Sequence, residues 1–240
     1  MNHIISISGG IASAVAANRV LNKHHQAILW FADTDFEDGD LYRFLDDLEQ
    51  YWGRQIVRHK DGRTPLEIFE SKNIIGNSRM APCSLELKIK PFTAYLKENL
   101  PATVYLGLDW TEYHRTIKPT ENYNRLGAAV DYPLMWNPKQ LKRDYIKEIE
   151  SWGVDIPRLY RLGFTHNNCG GRCIRQGEIY WKKLKEVMPE RFNQMDRWEQ
   201  KQREKVGDHS ILKTKTLDQI ESSDNQLALG LDDESCFCLP

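Results

Sequence analysis

Hydrophobic residues in the first half of the chain switch between two periods, and this pattern predicts strands separated by helices. Short apolar runs indicate buried strands at residues 3–7, 27–32, 55–59 and 103–107, and residues 131–134 close the sheet region. Apolar residues at helical spacing follow the first two runs, from residue 11 and from residue 41. The alternation predicts an α/β fold built on a parallel, doubly covered, five-stranded sheet.

The rest of the chain has a different character. A helix is expected from residue 137 to about 152, residues 163–173 are polar and glycine-rich, and residues 174–205 are mostly helical with a break at Pro189. We therefore predict an α/β domain at residues 1–136 and a helical, cysteine-bearing C-terminal part at residues 137–240.

Composition narrows the class of protein. The 240 residues are 40% hydrophobic and 28% charged, as in soluble globular proteins, and the net charge is −1. This charge creates no overall field that would attract nucleic acid or an anionic membrane. The sequence shows neither a signal-peptide pattern nor an apolar run of membrane-spanning length, so we expect a cytoplasmic protein with no membrane partner.

The first predicted strand leads directly into a glycine turn and a helix. Gly9 and Gly10 let a backbone approach an anion closely, and the helix start offers unpaired N–H groups at a positive dipole end. Ser8 and Ser13 add hydroxyl donors. The unit therefore predicts a phosphate-binding loop, although it has neither the GxxxxGK[ST] nor the GxGxxG pattern. A plain strand-to-helix turn made of small residues is the alternative.

Two aspartates follow the second predicted strand, at the edge where a parallel sheet binds ligands. Asp33 and Asp35 could hold Mg²⁺, which binds one or two carboxylates together with phosphate oxygens. They could equally bond a ribose hydroxyl or cap the helix that follows.

Further charged residues are candidates for catalysis. Lys88 and Lys90 would share a face on an extended segment but diverge on a helix, and either could neutralise phosphate charge. Asp109, Glu112 and Arg115 follow the fourth predicted strand. Arg115 could grip a phosphate, and a carboxylate could hold the metal or act as a base. A Glu112–Arg115 surface ion pair is the competing interpretation.

The five cysteines form two close pairs and one single residue. Cys169 with Cys173 and Cys236 with Cys238 supply four thiolates, a set that suits zinc or an iron–sulfur cluster equally well. Two unrelated pairs of thiols are the alternative. Cys83 is expected to be a separate thiol in the active cleft, or else a further ligand.

Several sequence blocks, in this order, resemble the phosphoadenosine phosphosulfate (PAPS) reductase-like branch of the PP-loop ATP pyrophosphatase superfamily. The blocks are residues 8–13, residues 31–35, Cys83 with residues 87–91, residues 107–115 and residues 133–136. The Cys-Gly-Gly-Arg-Cys and terminal Cys-Phe-Cys elements resemble a largely bacterial and phage subgroup of that branch. The resemblance implies an adenine nucleotide alpha-hydrolase-like fold that binds ATP, or a PAPS-like adenosine nucleotide, at the carboxyl edge of the sheet. It also favours the cluster over zinc.

The resemblance implies an enzyme, either a transferase or an oxidoreductase. Three alternative functions are compatible with the sequence. The first is a PP-loop enzyme that adenylates a second substrate and releases pyrophosphate. The second is a PAPS- or APS-type sulfonucleotide reductase, which the sequence disfavours, because only Cys83 stands where iron–sulfur reductases carry two cysteines. The Cys-Phe-Cys tail likewise replaces the Glu-Cys-Gly ending of the thioredoxin-dependent type. The third is a non-catalytic nucleic-acid-binding or complex subunit, indicated by the lysines and arginines of residues 182–205. The second substrate, which could be a nucleic acid, and a homo-oligomeric state are left open.

Overall fold

The computed structural model describes residues 1–221, and these form one α/β sheet with helices on both faces. Five strands pair in parallel in the order β3-β2-β1-β4-β5. Their bounds are β1 Asn2–Ile7, β2 Ile28–Asp33, β3 Ile56–Lys60, β4 Ala102–Leu106 and β5 Ala129–Asp131. The predicted sheet is confirmed. The fifth strand precedes the predicted 131–134, because Pro133 begins a 3₁₀ turn, Pro133–Met135.

Helices connect and cover the strands. They are α1 Ile11–Lys23, α2 Gly39–Trp52, α3 Pro65–Ser71, α4 Lys90–Glu98, α5 Ile117–Arg125, α6 Lys142–Ser151, α7 Arg158–Arg161, α8 Glu178–Val187 and α9 Pro189–Val206. A helical turn, Pro82–Ser84, and a π-helical turn, Leu85–Ile89, lead into α4. Helix α6 begins later than the predicted residue 137, because residues 136–138 form a bend and residues 139–141 an irregular connection to it.

The two faces of the sheet bury different side chains of each strand. Ile5 and Ile7 of β1 pack under α1 and α2, whereas Ile4 packs under α4 and α5 with Trp30 and Val104. Alternate side chains of a strand point to opposite faces, so every central strand is apolar on both sides. Burial on both faces therefore explains why the strands appear in the sequence as near-continuous apolar runs.

The described part of the C-terminal region shares a core with the α/β region. One cluster of buried side chains joins Phe36, Phe69 and Leu87 to Trp181 and Phe192. Burial of such large apolar groups is the main driving force that packs the C-terminal helices against the α/β region. The helices after residue 157 therefore lie against the loops at the carboxyl edge of the sheet. None of the helices within residues 1–221 is long and apolar enough to cross a membrane.

Candidate functional site

The glycine loop, residues 8–13, lies at the carboxyl end of β1, beside its neighbour β4. From this pair of strands the sheet is extended in opposite directions. Strands β2 and β3 continue from β1 on one side, and β5 continues from β4 on the other. Such a reversal opens a crevice at the carboxyl ends of the strands. Gly107, just after β4, closes on the loop so tightly that a Cβ there would lie 2.9 Å from the Ser13 Cα. The predicted phosphate loop thus lies in the crevice.

Hydrogen bonds within the glycine loop fix its shape. The Ser13 hydroxyl accepts from the Ser8 N–H and from the Ser8 hydroxyl, each at 3.1 Å, and donates to the Gly10 carbonyl at 2.9 Å. Gly9 has a φ of +74°, a value that favours glycine. Ser13 is buried, so its hydroxyl braces the loop in this conformation.

The N-cap residue of α1 supplies no side-chain hydrogen bond to the first turn. Gly10 is the N-cap residue, and the Ile11 N–H donates to the Tyr160 hydroxyl at 3.3 Å. A Cβ on Gly10 would lie 2.9 Å from that hydroxyl. Burial raises the pKa of Tyr160 to about 12, which keeps the hydroxyl protonated. The helix start therefore offers N–H groups and a positive dipole end to an anion, beside a tyrosine from α7.

The aspartates after β2 are held in place by protein contacts. One Asp33 carboxylate oxygen accepts from the Tyr42 hydroxyl at 2.7 Å and from the Asp35 N–H at 3.0 Å. Asp35 pairs with Lys60 and has a left-handed φ of +54°. Within residues 1–221 no three His, Cys, Asp or Glu side chains form a set that could hold a metal ion. A magnesium ion here would thus need ligand oxygens from its substrate.

Glu37, which the sequence analysis missed, connects three parts of the site. Its buried carboxylate accepts from the Thr34 hydroxyl at 3.0 Å and from the Cys169 N–H at 2.5 Å, and lies 3.6 Å from the Lys88 ammonium. Lys88 is buried, whereas Lys90 is exposed and pairs with Glu86. The two lysines diverge because the segment is helical.

Asp38 is a second buried carboxylate that the sequence analysis missed. It caps α2 through the Asp40 N–H and pairs with Arg158 at 2.9 Å and with Arg191 at 2.5 Å. Burial alone would raise the pKa of Asp38, but hydrogen bonds from these partners hold it below its usual value. Arg191 also donates to the Gly170 carbonyl at 2.8 Å. Asp38 therefore ties the C-terminal helices to the loop after β2.

The charged residues after β4 form a compact capping motif. Asp109 caps the 3₁₀ helix Trp110–Arg115, Glu112 closes the capping box, and Arg115 pairs with Glu112 at 2.5 Å. Burial raises the pKa of Glu112 although Arg115 opposes the shift. The predicted i,i+3 pair is present, and both side chains are largely buried.

Cys83, Cys169 and Cys173 line one cavity, together with apolar and basic side chains. Cys83 therefore lines the same cavity as the first cysteine pair. Cys169 and Gly170 both have left-handed φ values, +53° and +58°, that wind the backbone tightly between the two cysteines. Cys236 and Cys238 lie outside the described residues.

The cysteine segment, residues 163–173, approaches the glycine loop through Asn167, whose amide donates to the Gly9 carbonyl at 3.0 Å. Lys142 of α6 donates to the Thr165 carbonyl. The sequence singled out neither residue for the phosphate site. The polar, glycine-rich composition of the segment was the only sequence signal for this contact. Contacts between residues so far apart in the chain produce no periodic pattern in the sequence.

Comparisons with known proteins bear on the fold. No protein-family model and no curated protein matches the chain. The crystal structure of PAPS reductase from Candida auris in complex with phosphate is similar, with a TM-score of 0.52 and 17% sequence identity. The match covers 69% of this chain and 79% of that one. At this identity the likeness concerns architecture alone: the chain has a PAPS reductase-like α/β fold.

Proposed function

We propose that this protein is a PP-loop enzyme that binds ATP, or a related adenosine nucleotide, at the glycine loop and adenylates a second substrate. The observation that carries the proposal is the position of the α1 start, whose N-cap residue Gly10 has no side chain, in the crevice between β1 and β4. Backbone N–H groups at that position suit phosphate oxygens. In the reaction, a nucleophile of the second substrate attacks the α-phosphorus, the bond to the bridging oxygen breaks, and pyrophosphate leaves.

The surrounding residues have separate roles in this proposal. The N–H groups of residues 9–13 hold phosphate oxygens while Ser13 keeps the loop in shape. Lys88 and Arg115 offset the charge that develops on the leaving pyrophosphate. Asp33 and Asp35 would hold a nucleotide-bound Mg²⁺ through carboxylate oxygens, and Asp109 or Glu112 would accept a proton or help to hold the metal. The second substrate, which could be a nucleic acid, stays unassigned.

The cysteines support a second candidate, a sulfonucleotide reductase. The similar fold of a PAPS reductase and the cavity lined by the Cys83 and Cys169 thiols favour it. Cys169 and Cys173, together with Cys236 and Cys238, would hold an iron–sulfur cluster or zinc once the disulfide that engages Cys173 in this structure is reduced. A cluster would supply electrons, whereas zinc would stabilise the fold. Elemental analysis of protein purified without oxygen distinguishes the two.

Two assays on the same preparation test the proposed function. The adenylation proposal predicts pyrophosphate release from ATP, stimulated by the second substrate, and no sulfite release from PAPS. Sulfite release that depends on PAPS and a reductant would instead select the reductase. Nucleotide binding without either product, across nucleic acid and small nucleophile substrates, would favour a non-catalytic subunit.

A further inference from the structure

Exposed apolar side chains concentrate in two segments, residues 110–118 after β4 and residues 137–143 before α6. Within residues 1–221, ten large apolar side chains are exposed, and four of them lie in these two segments: Trp110, Tyr113, Ile117 and Leu141. Scattered exposed apolar residues are ordinary in a soluble protein, but a cluster of them indicates an interaction surface. The two segments together are called the aromatic face below.

Contacts between the two segments make the aromatic face one surface. The Trp110 indole N–H donates to the Gln140 carbonyl at 3.0 Å, and the Lys139 ammonium lies 6.0 Å from the centre of the Trp110 ring. Tyr113 stands three positions after Trp110 in the 3₁₀ helix, about one turn, so the two rings lie on the same side of that helix. Trp110 is 39% exposed and Tyr113 is 69% exposed, which leaves ring surface open to a ligand.

The aromatic face lies on the outer side of elements that build the candidate phosphate site. The inner side of the same 3₁₀ helix carries the largely buried Glu112–Arg115 pair. In the second segment, Arg19 of α1 donates to the Gln140 side chain and, at 3.2 Å, to the Pro138 carbonyl. Helix α1 begins at the glycine loop, so the aromatic face and the loop share this helix as a common support.

The exposed charges of the aromatic face favour an anionic partner. Every exposed side chain in the two segments that can carry a charge is basic: His114, Lys118, Lys139, Lys142 and Arg143. The carboxylate within the segments, Glu112, is largely buried and pairs with Arg115. Asp144, just outside them, lies 3.9 Å from the exposed Arg143, and such a surface pair is weak. Because the net charge of the whole chain is −1, these cations are a local concentration.

Flat rings exposed among cations fit one class of polyanion, single-stranded nucleic acid. Unpaired bases stack on aromatic side chains, while lysine and arginine contact the phosphates between the bases. A duplex keeps its bases stacked on one another and offers mainly its phosphates. A protein partner would bury apolar groups, and charged residues are depleted at the centre of such interfaces. The mixture of rings and cations therefore favours an unpaired strand.

We propose that the aromatic face binds single-stranded nucleic acid, with bases stacked on Trp110 and Tyr113 and phosphates beside Lys139 and Arg143. That this strand is the second substrate rests on the proposed function, whereas the binding surface itself does not. Residues 182–205, whose lysines and arginines suggested nucleic-acid binding in the sequence, alternate acidic with basic side chains and are the less suitable surface.

Substitutions of Tyr113 separate base stacking from general apolar contact. Fluorescence anisotropy with a labelled RNA or DNA strand of about twelve nucleotides should show affinity at least about fivefold lower for Tyr113→Ala and Tyr113→Leu. Tyr113→Phe keeps the ring and should keep the affinity. Tyr51→Leu is the matched control, because Tyr51 is also exposed but stacks on Trp152 outside the aromatic face, and it should bind like the wild type.

The same titrations include the outcome that would overturn the inference. Binding of either strand that is lost with the Tyr113 ring supports it, and the tighter strand identifies the preferred nucleic acid. A duplex of the same sequence should bind more weakly than the single strand. Wild-type affinity in folded Tyr113→Leu, or no binding of either strand, would show that the aromatic face is not a nucleic-acid surface.

Salt dependence tests the cations separately from the rings. Lys139→Ala should reduce the slope of log affinity against log salt concentration by about 0.7, because one phosphate contact of the single strand is lost. Lys201→Ala removes an exposed lysine of α9, outside the aromatic face, and should leave the slope unchanged. Equal slopes for the wild type and both variants would refute the proposed phosphate contact of Lys139.

Pyrophosphate release from ATP separates failure of this inference from failure of the proposed function. Strand binding that needs Tyr113, without pyrophosphate release on any substrate, would leave the surface in place and refute adenylation. Release stimulated by a small nucleophile, in protein that binds neither strand, would support adenylation and overturn the inference. If Tyr113→Leu instead converts a dimer to a monomer and no strand binds, the aromatic face joins two copies of the chain and the inference is wrong.

Discussion

The glycine loop and the cysteine segment meet at the same edge of the sheet but are held in shape in opposite ways. The shape of the glycine loop is set mainly by the Ser13 hydroxyl, which bonds residues five or fewer positions away, while Tyr160 and Asn167 contact the loop from outside. The cysteine segment is fixed by partners 132 to 158 positions away in the chain. Glu37 and Gly9 bond to the segment directly, and Asp38 bonds to Arg191, which contacts it. A local motif and a tertiary assembly therefore form the two walls of one crevice.

This difference predicts which substitutions should affect ligand binding and which should affect folding. The glycine loop depends on small residues and close approach, so added volume should impair ligand binding before it affects folding. The cysteine segment depends on buried carboxylates, and loss of one partner leaves uncompensated charge in the interior.

The largest effect is expected from Asp38→Asn. The Asp38 side chain is fully buried against Arg158 and Arg191, which are themselves partly exposed, so removing its charge should cost about 2–4 kcal/mol in the free energy of unfolding. Asp155→Asn is the matched control, because Asp155 pairs with Arg161 while 74% exposed, and should cost less than about 1 kcal/mol. Denaturant titration of both variants measures the difference. Equal losses would show that the buried carboxylate is not what joins the two walls.

Gly10→Ala should act on binding rather than on stability. The φ of Gly10 is −102°, which alanine adopts freely, but the new Cβ would displace the Tyr160 hydroxyl and crowd the α1 start. Nucleotide affinity should fall at least about tenfold while the unfolding free energy changes by less than about 1 kcal/mol.

Gly39→Ala is the control for Gly10→Ala, because a Cβ at Gly39 meets nothing within 4 Å. Calorimetry should show unchanged nucleotide affinity for this variant. Unchanged affinity in folded Gly10→Ala as well would remove the ligand from the glycine loop.

The two lysines near the crevice offer a smaller contrast. Lys88→Met removes a buried charge beside Glu37 and should lower ligand affinity or turnover by about 1.5–3 kcal/mol, because the proposed contact to a charged phosphate would be lost. Lys90→Met, at a side chain 59% exposed, should change neither measurement by more than about 0.5 kcal/mol. Similar effects of both substitutions would argue that Lys88 does not face the ligand.

The smallest expected effect is the contribution of His166 to the loss of stability at acid pH. Burial lowers its pKa to about 4 in the folded protein, against 6.5 for the unperturbed group, so the unfolded chain binds more protons between these values. Stability that is present above pH 6.5 should fall as pH decreases, by about 1–2 kcal/mol at about pH 5. This part of the pH dependence should be absent in His166→Gln. An identical pH profile for that variant would place the acid sensitivity elsewhere.

Sequence reasoning recovered the glycine loop and the five strands because their signals are local. Apolar runs report strands buried on both faces, and a glycine pair between strand and helix reports a turn. The same reasoning missed Glu37 and Asp38, since an acidic residue after a strand looks alike whether it caps a helix or pairs with a distant arginine. It also left open whether Cys83 stands apart from the other cysteines, because the cavity that Cys83 shares with Cys169 is formed by segments far apart in the chain.

The most direct test of the central claim is amide hydrogen exchange of the unmodified protein with and without ATP. Bound phosphate should occupy the N–H groups at the start of α1, so exchange at residues 9–13 should slow markedly with ATP but not with adenosine. The account predicts this protection together with slower exchange at residues 165–169. Saturating ATP that leaves exchange at residues 9–13 unchanged while protecting another part of the chain would contradict it.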